Sequence, residues 1–206
     1  MIGNASWDWT GGLTTSFRYK SIVLSAIVDV KVGADLMSMT AREFVRTGKH
    51  KSTLEGRDAW YESEEKRKAA GKTADQWQAT GGYIVPGVIK VDNGDGTFSY
   101  RDNDIIVDPQ RYWEHASDND PQMFIFDNSY VKFREITLSY DLPNKWVHKF
   151  AQGVSVSFVA RNPWIIWKNI DNIDPDSNYN NSSALGLEYG SMPSRRSFGF
   201  NVNVKF

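Results

Sequence analysis

The sequence predicts an all-β fold: the C-terminal five antiparallel strands of a transmembrane β-barrel, carrying a long, partly helical extracellular loop insert. Three observations point there. Five segments alternate apolar and polar residues with period two. The connections between them run short, long, short, long, as barrels do when brief periplasmic turns face large outer loops. The sequence ends on an aromatic residue, Phe206, at the tip of an alternating strand.

The strands are taken in order. Residues 13–20 place Leu13, Phe17 and Tyr19 on one face and Thr14, Ser16, Arg18 and Lys20 on the other. Ile22–Val32 repeats the pattern with Ile22, Leu24, Ala26, Val28, Val30 and Val32 against Ser25, Asp29 and Lys31, and a tight turn at residues 19–21 joins the two as a hairpin. Tyr130–Asp141 is the third strand. Its apolar residues change phase, from Val131 and Phe133 to Ile136, Leu138 and Tyr140, as one inserted residue would make them, so a bulge is expected at Arg134 and Glu135. Pro143-Asn144-Lys145-Trp146 ends that strand, and residues 154–161 form the fourth. In the fifth, Phe198, Phe200, Val202, Val204 and Phe206 alternate with Ser197, Gly199, Asn201, Asn203 and Lys205. Each run is near the ~9–11 residues of a tilted spanning strand. The apolar set, Leu24, Ala26, Val28, Val156, Phe158, Phe200, Val202 and Val204, is expected to face lipid.

Between the strands lies irregular, polar sequence. Residues 1–33 thus read as a hairpin, 34–128 as the insert, and 129–206 as three further strands with one long loop at 162–194. The insert has helical signals. Ser52-Thr53-Leu54-Glu55 fits a capping box ahead of a helix over residues 59–70, which Gly71 stops. Thr73-Ala74-Asp75-Gln76 starts a shorter turn, and Asp108-Pro109 is an N-cap with proline at the first helical position. Residues 91–97, Val-Asp-Asn-Gly-Asp-Gly-Thr, read as a small hairpin turn.

Composition excludes several classes. Lys and Arg number 24 against 25 Asp and Glu, which leaves no basic field to hold nucleic acid. The sequence has no cysteine, so disulfides, thiolate metal sites and thiol nucleophiles are excluded together. His50, His115 and His148 lack the spacing of zinc ligands. No run approaches the ~20 apolar residues of a membrane helix, and Met1-Ile2-Gly3-Asn4 does not begin a signal peptide. The 14% aromatic content fits a membrane interface.

No catalytic residue, cofactor site or metal site stands out, and an enzyme is not expected. Asp171, Asp174 and Asp176 lack the ligand spacing of a calcium loop and read as turn-formers. Glu62, Glu64 and Glu65 followed by Lys66, Arg67 and Lys68 read as a solvated helix face. The candidate solute or girdle aromatics are Trp164 and Trp167 after the fourth strand, with Trp60, Trp77 and Trp113 in the insert beside Tyr61 and Tyr112. Those of the insert are expected to pack on its own small core, with contact to solute as the rival reading. Alternation alone also suits a soluble sheet packed on a core, so a soluble β-sandwich carbohydrate-binding module with a helical insert stays open as the alternative.

Five stretches resemble, in order and spacing, the C-terminal portion of the SusC/RagA family of TonB-linked outer-membrane receptors. They are residues 11–35, beginning Gly-Gly-Leu-Thr-Thr-Ser-Phe-Arg-Tyr-Lys; 128–143, Asn-Ser-Tyr-Val-Lys-Phe-Arg-Glu-Ile-Thr-Leu-Ser-Tyr-Asp-Leu-Pro; 154–162; 172–178, Asn-Ile-Asp-Pro-Asp-Ser-Asn; and 192–206, beginning Met-Pro-Ser-Arg-Arg. The resemblance implies a fragment of a TonB-dependent outer-membrane importer for glycans or peptides, contributing barrel wall and outer vestibule loops. It implies outer-membrane lipid, a SusD-like surface lipoprotein, oligosaccharide or peptide cargo, and TonB (through an N-terminal part absent here) as partners. It makes Phe206 an outer-membrane assembly signal. Five strands cannot close around a channel, since the smallest barrels need about eight.

Overall fold

A computed structural model describes residues 3–177 and 185–206. Asn178, the end of one resembling stretch, lies outside the described residues. In chain order the elements are β1 (Trp9–Tyr19), β2 (Ile22–Val32), β3 (Asp35–Ser38), α1 (Met39–Arg46), α2 (Arg57–Ala69), β4 (Tyr83–Ile84), β5 (Val88–Asp92), β6 (Phe98–Asp102), β7 (Ile106–Val107), α3 (Pro109–Asn119), β8 (Ile125–Asp127), β9 (Tyr130–Asp141), α4 (Asn144–Val147), β10 (Gly153–Arg161), β11 (Ile165–Lys168), β12 (Leu187–Glu188) and β13 (Ser197–Lys205). They divide into two compact units, one of residues Met1–Met39 with Ile125–Phe206 and one of Thr40–Phe124.

The first unit is built on an antiparallel sheet in the order β1-β2-β9-β10-β13, with β11 pairing the early part of β9. Its register follows the alternation. Phe17 lies opposite Leu24, Leu24 opposite Leu138, Leu138 opposite Phe158, and Phe158 opposite Phe200, so one face is an apolar row across all five strands. On the other face Ser25 Oγ donates to Ser16 Oγ at 3.1 Å, and the Ser139 and Ser157 hydroxyls lie 2.8 Å apart. The apolar row stays exposed, with Phe200 at 79%. A smaller sheet, β12-β3-β8, completes this unit, with β12 parallel to β3.

The β2–β9 register shifts where the phase change places it. Ile27 pairs with Glu135 and Val28 with Phe133, so Arg134 is the extra residue. Strict alternation would have put Arg134 on the face of Ile136 and Leu138. The bulge turns it, with Lys132, to the polar face.

The expectation of an all-β barrel segment is corrected. The described residues form a mixed α/β fold of four open sheets and four α-helices. The edge strands β1 and β13 are not paired with each other, so the five long strands close no barrel. Among the described residues no helix is long and apolar enough to cross a membrane. Period-two alternation reports one apolar and one polar face, and it does so equally for an open sheet and a closed one. The strands assigned to barrel staves were read from a pattern that does not encode closure.

The second unit holds α1, α2, α3 and two small sheets, β4-β7 and β5-β6. The hairpin expected at residues 91–97 joins β5 to β6, and Asp108 caps α3 as its sequence implies. The capping box at Ser52 does not form. Residues Lys51–Thr53 make a 3-10 turn in which the His50 ring accepts from the Ser52 N–H, and α2 starts instead after Gly56. Gly56 has φ 74°, and a Cβ there would lie 2.5 Å from the backbone of Gly82 and Tyr83. Close backbone approach, rather than a side-chain cap, therefore fixes the start of this helix.

Replacing Gly56 with alanine combines a left-handed backbone with a backbone clash. Gly56→Ala is expected to destabilise the second unit by about 1–3 kcal/mol or more. Urea unfolding followed by tryptophan fluorescence measures this, and an unchanged midpoint would contradict it.

Candidate functional site

The second unit positions its aromatic residues through α2 and α3. Asp108 Oδ1 accepts the Gln110 backbone N–H at 2.9 Å and Pro109 occupies the first helical position, so α3 begins firmly. Pro109, Trp113 and Ser117 then fall on one buried stripe at four-residue intervals. On α2, buried Ser63 accepts the Trp77 indole N–H at 3.1 Å and the Thr80 N–H at 3.0 Å, pinning the segment that follows onto the helix.

A cavity of about 300 Å³ lies among these elements, at the lower end of the range for small-molecule sites. Trp60, Tyr61 and Trp113 supply its aromatic walls; Arg46, Arg57, Asp108 and Glu114 supply its charges. Trp60 is half-buried, Tyr61 is 59% exposed and Trp113 only 8%. Behind Trp113, the Tyr83 and Tyr112 rings sit 5.5 and 5.0 Å away, centre to centre, and hold the indole in place. Burial pushes the Tyr83 phenol above its ordinary pKa, with the neighbouring Tyr112 adding to the shift, so it remains a neutral ring.

The charged walls are held in place by hydrogen bonds and, for Arg46, by ion pairs. Arg46 pairs with Glu43 and Asp118, at 3.7 and 3.3 Å. Arg57 Nη2 donates to the Gly48 carbonyl at 3.0 Å and to Thr53 Oγ1 at 2.8 Å. Glu114 accepts from Gln110 Nε2 at 3.0 Å. The cavity thus sets aromatic surface beside two arginines and two carboxylates, whose hydrogen bonds and ion pairs fix their positions.

The first unit carries a second assembly, on the polar face of its main sheet. Arg134, freed by the bulge, donates to Asp29 Oδ2 at 2.6 and 2.9 Å and to the two Asp176 oxygens at 2.5 and 3.0 Å. Lys132, 1% exposed, donates to Asp176 Oδ2 and Ser194 Oγ, each at 2.6 Å. The Tyr130 hydroxyl donates to Asp176 Oδ1 at 2.7 Å, and Ser194 Oγ donates to Asp174. Burial works to raise the pKa of Asp176, but hydrogen bonds from Arg134, Lys132 and Tyr130 outweigh it and hold the carboxyl well below the usual range. Burial and the bond to Asp176 push the Tyr130 hydroxyl far up, so it stays a donor. The Arg134 guanidinium, which burial alone would weaken as an acid-base cation, is held charged by Asp176 and Asp29. The Asp-Pro-Asp turn is thus clamped to β9.

The sequence-derived candidates separate. Trp60 and Trp113 meet at the cavity. Trp77 does not line it, its indole being bound to Ser63. Trp164 and Trp167 belong to the first unit. Trp164 packs edge-on to Phe133 at 5.1 Å, and Trp167 sits on β11, half-exposed. Phe206 lies just past β13, 83% exposed. The clamp of Asp29, Lys132, Arg134 and Asp176 escaped sequence reading. The phase break on β9 marked Arg134, but its partners lie 42 and 105 residues away.

No family model matches the chain. It is similar to the TonB-dependent receptor P3 of Formosa agariphila, 21% identical over 212 residues that take in all of this chain and 17% of that receptor. In fold it is similar to part of the RagAB peptide importer in its closed-closed state, with TM-score 0.61 and 14% identity over all of this chain and 18% of the other. The open-open state of the same importer gives TM-score 0.47, at 13% identity over 96% of the chain. Both likenesses are distant: in sequence to a TonB-dependent receptor, in fold to part of the RagAB importer. The chain spans less than a fifth of the length of these relatives, and their names are those of transport proteins, not enzymes.

The role expected for the chain as barrel wall and vestibule of an importer is corrected. Its long strands form an open sheet, and the cavity walled by Trp60, Tyr61 and Trp113 belongs to the second unit. The geometry favours the binding-module alternative.

The clamp makes a pH-dependent prediction. Asp176→Asn leaves Lys132 buried without a full counter-charge and is expected to destabilise the chain by about 3 kcal/mol at pH 7. Because the Asp176 pKa is depressed on folding, its contribution is present above the unfolded aspartate value of about 3.9 and is lost as pH falls through the lower, folded value. Urea midpoints of the wild type should stay level from pH 7 to about 5 and then fall towards those of the variant. Parallel curves at all pH values would overturn the assignment.

Proposed function

We propose that this chain is a carbohydrate-binding module serving nutrient uptake at the outer membrane, beside transporters of the SusC/RagA type. The cavity walled by Trp60, Tyr61 and Trp113 carries the reading. Sugar rings present an apolar C–H face that stacks on aromatic side chains, while their hydroxyls require a few placed polar groups, and this cavity offers both. The distant relation to TonB-dependent receptors supports an outer-membrane setting. A SusD-like surface lipoprotein and TonB are the proposed partners, and the exposed apolar row of the main sheet gives the chain a surface for outer-membrane lipid. In this reading Trp60 and Tyr61 bind cargo. Trp164 and Trp167 are half-exposed rings of the interfacial kind, and Phe206 is a signal read during assembly.

Peptide is the second reading of the cargo, favoured by the likeness of fold to part of a peptide importer.

Calorimetric titration of the 206-residue chain with neutral hexasaccharides and with short peptides tests the proposal. At least one oligosaccharide is expected to bind, and Trp60→Ala is expected to weaken it about tenfold, on the scale of one lost aromatic contact. Binding of peptides alone would favour the second reading. No binding of any oligosaccharide at 10 mM, about the concentration where millimolar sites saturate, would sink the first.

A further inference from the structure

The four charged side chains on the cavity walls are not alike. Arg46 pairs with Glu43 and Asp118. Asp108 accepts the Gln110 N–H and has the Arg111 guanidinium 3.8 Å away. Glu114 is exposed to solvent and accepts from Gln110 Nε2. Arg57 differs from all three: it is half-buried, and its guanidinium is bonded to a carbonyl and a hydroxyl but to no carboxylate among the described residues. Trp60 and Tyr61 follow Arg57 on α2 at i+3 and i+4, so the cation and two aromatic rings share one helix face, and all three line the cavity.

The Arg57 guanidinium is fixed in place before any ligand arrives. Its Nη2 donates to the Gly48 carbonyl at 3.0 Å and to Thr53 Oγ1 at 2.8 Å. Thr53 is itself 1% exposed, and its hydroxyl donates to the His50 carbonyl at 2.7 Å, so the anchor is rigid. Gly48 has φ 69°, and a Cβ there would lie 3.1 Å from Arg57 Nη2, so the turn closes tightly on that nitrogen. Nε and Nη1 have no acceptor among the described residues. The buried polar side-chain atoms that lack a partner are Trp113 Nε1, Ser117 Oγ and Asn128 Oδ1 alone, so Arg57 Nε and Nη1 are reached by solvent. One nitrogen thus holds the group still, and the other two are open donors carrying a positive charge.

Resting on the carbohydrate reading above, we infer that Arg57 makes the cavity a site for acidic sugars: a pyranose bearing a carboxylate lays its ring on Trp60 and Tyr61 and gives its carboxylate to Arg57. A charge-assisted hydrogen bond is about twice as strong as a neutral one, and a held guanidinium loses little freedom in forming it. Asp108 and Glu114 oppose an anion only weakly. Arg111 offsets the first, and the second lies in water, where its field is screened. A neutral sugar keeps the stacking and loses the charged bond, so it binds less tightly.

The test titrates the 206-residue chain calorimetrically with the hexamers of galacturonate and mannuronate and with their methyl esters, which keep the rings and remove the charge. At least one acidic hexamer is expected to bind about tenfold more tightly than its own ester. Arg57→Gln is expected to bring the affinity for that acid down about tenfold, to the level of the ester, and to leave the ester unchanged within about twofold. Arg57→Gln also gives up the bonds to Gly48 and Thr53; should it fail to fold, the comparison of acid with ester on the wild type still decides. Esters that bind as tightly as the acids, or a folded Arg57→Gln that holds the acid as tightly as the wild type, overturn the inference and leave the carbohydrate reading standing. If no hexamer of either kind binds, the carbohydrate reading itself fails and the inference falls with it. Binding confined to hexapeptides, and abolished when their C-termini are amidated, would overturn both and assign Arg57 to a peptide carboxylate.

Discussion

The carboxylate of Asp176 lies between Arg134, Lys132 and Tyr130, and the conformation of the first unit depends on that meeting. Three donors from one strand converge on one side chain of a distant turn. They can do so only because the bulge puts Lys132 and Arg134 on the same face as Asp29. A regular strand would point both cations into the apolar row of Leu138 and Phe158, where an unpaired charge costs several kcal/mol. The bulge and the clamp are therefore one device: the inserted residue re-aims the cations, and the aspartates make the re-aimed position stable.

Such a cluster adds little net stability compared with a well-packed apolar one, because removing several charges from water offsets most of their attraction. Its effect is on specificity. Lys132 is almost fully enclosed, and any register slip of β9 against β2 would separate it from Asp176 and Arg134 from Asp29. A slip by one residue would also flip every side chain of the strand. The clamp thus enforces the alternation that the rest of the sheet follows, and it ties the Asp-Pro-Asp turn to the strand whose register it guards.

The sequence showed the local half of this and not the distant half. Ile22–Val32 and Tyr130–Asp141 were legible to the residue because their apolar positions repeat every second position, and Arg134 was marked because the repeat breaks there. What alternation cannot carry is how a sheet ends. Nothing in the order of Phe198, Phe200 and Val202 says whether the strand beside them closes a ring or leaves an edge, and that gap produced the barrel reading. In the second unit, the Asp108-Pro109 start of α3 was legible as local chemistry. The start of α2 was not. Its determinant is the approach of Gly56 to the backbone of Gly82, a contact across 26 residues that no local motif records. The cavity was half-legible: Trp60 and Trp113 were named as candidates, but so were Trp77 and Trp164, whose rings are held by Ser63 and Phe133.

That sorting of tryptophans bears on what the cavity can do. An aromatic side chain selects a ligand only if its own position is fixed before the ligand arrives, since ordering it on binding would cost affinity. Trp113 meets that condition from three directions. Asp108 and Pro109 fix the origin of α3, Tyr83 and Tyr112 pack on the indole, and Arg42 bridges to the far end of the helix through the Ser117 carbonyl at 2.9 Å and Asp118 at 2.8 Å. Tyr61 meets none of these and stands open at the surface. One wall of the cavity is thus rigid, and the other is free to adapt. A site built that way discriminates by shape at its rigid wall and tolerates variation at the open one.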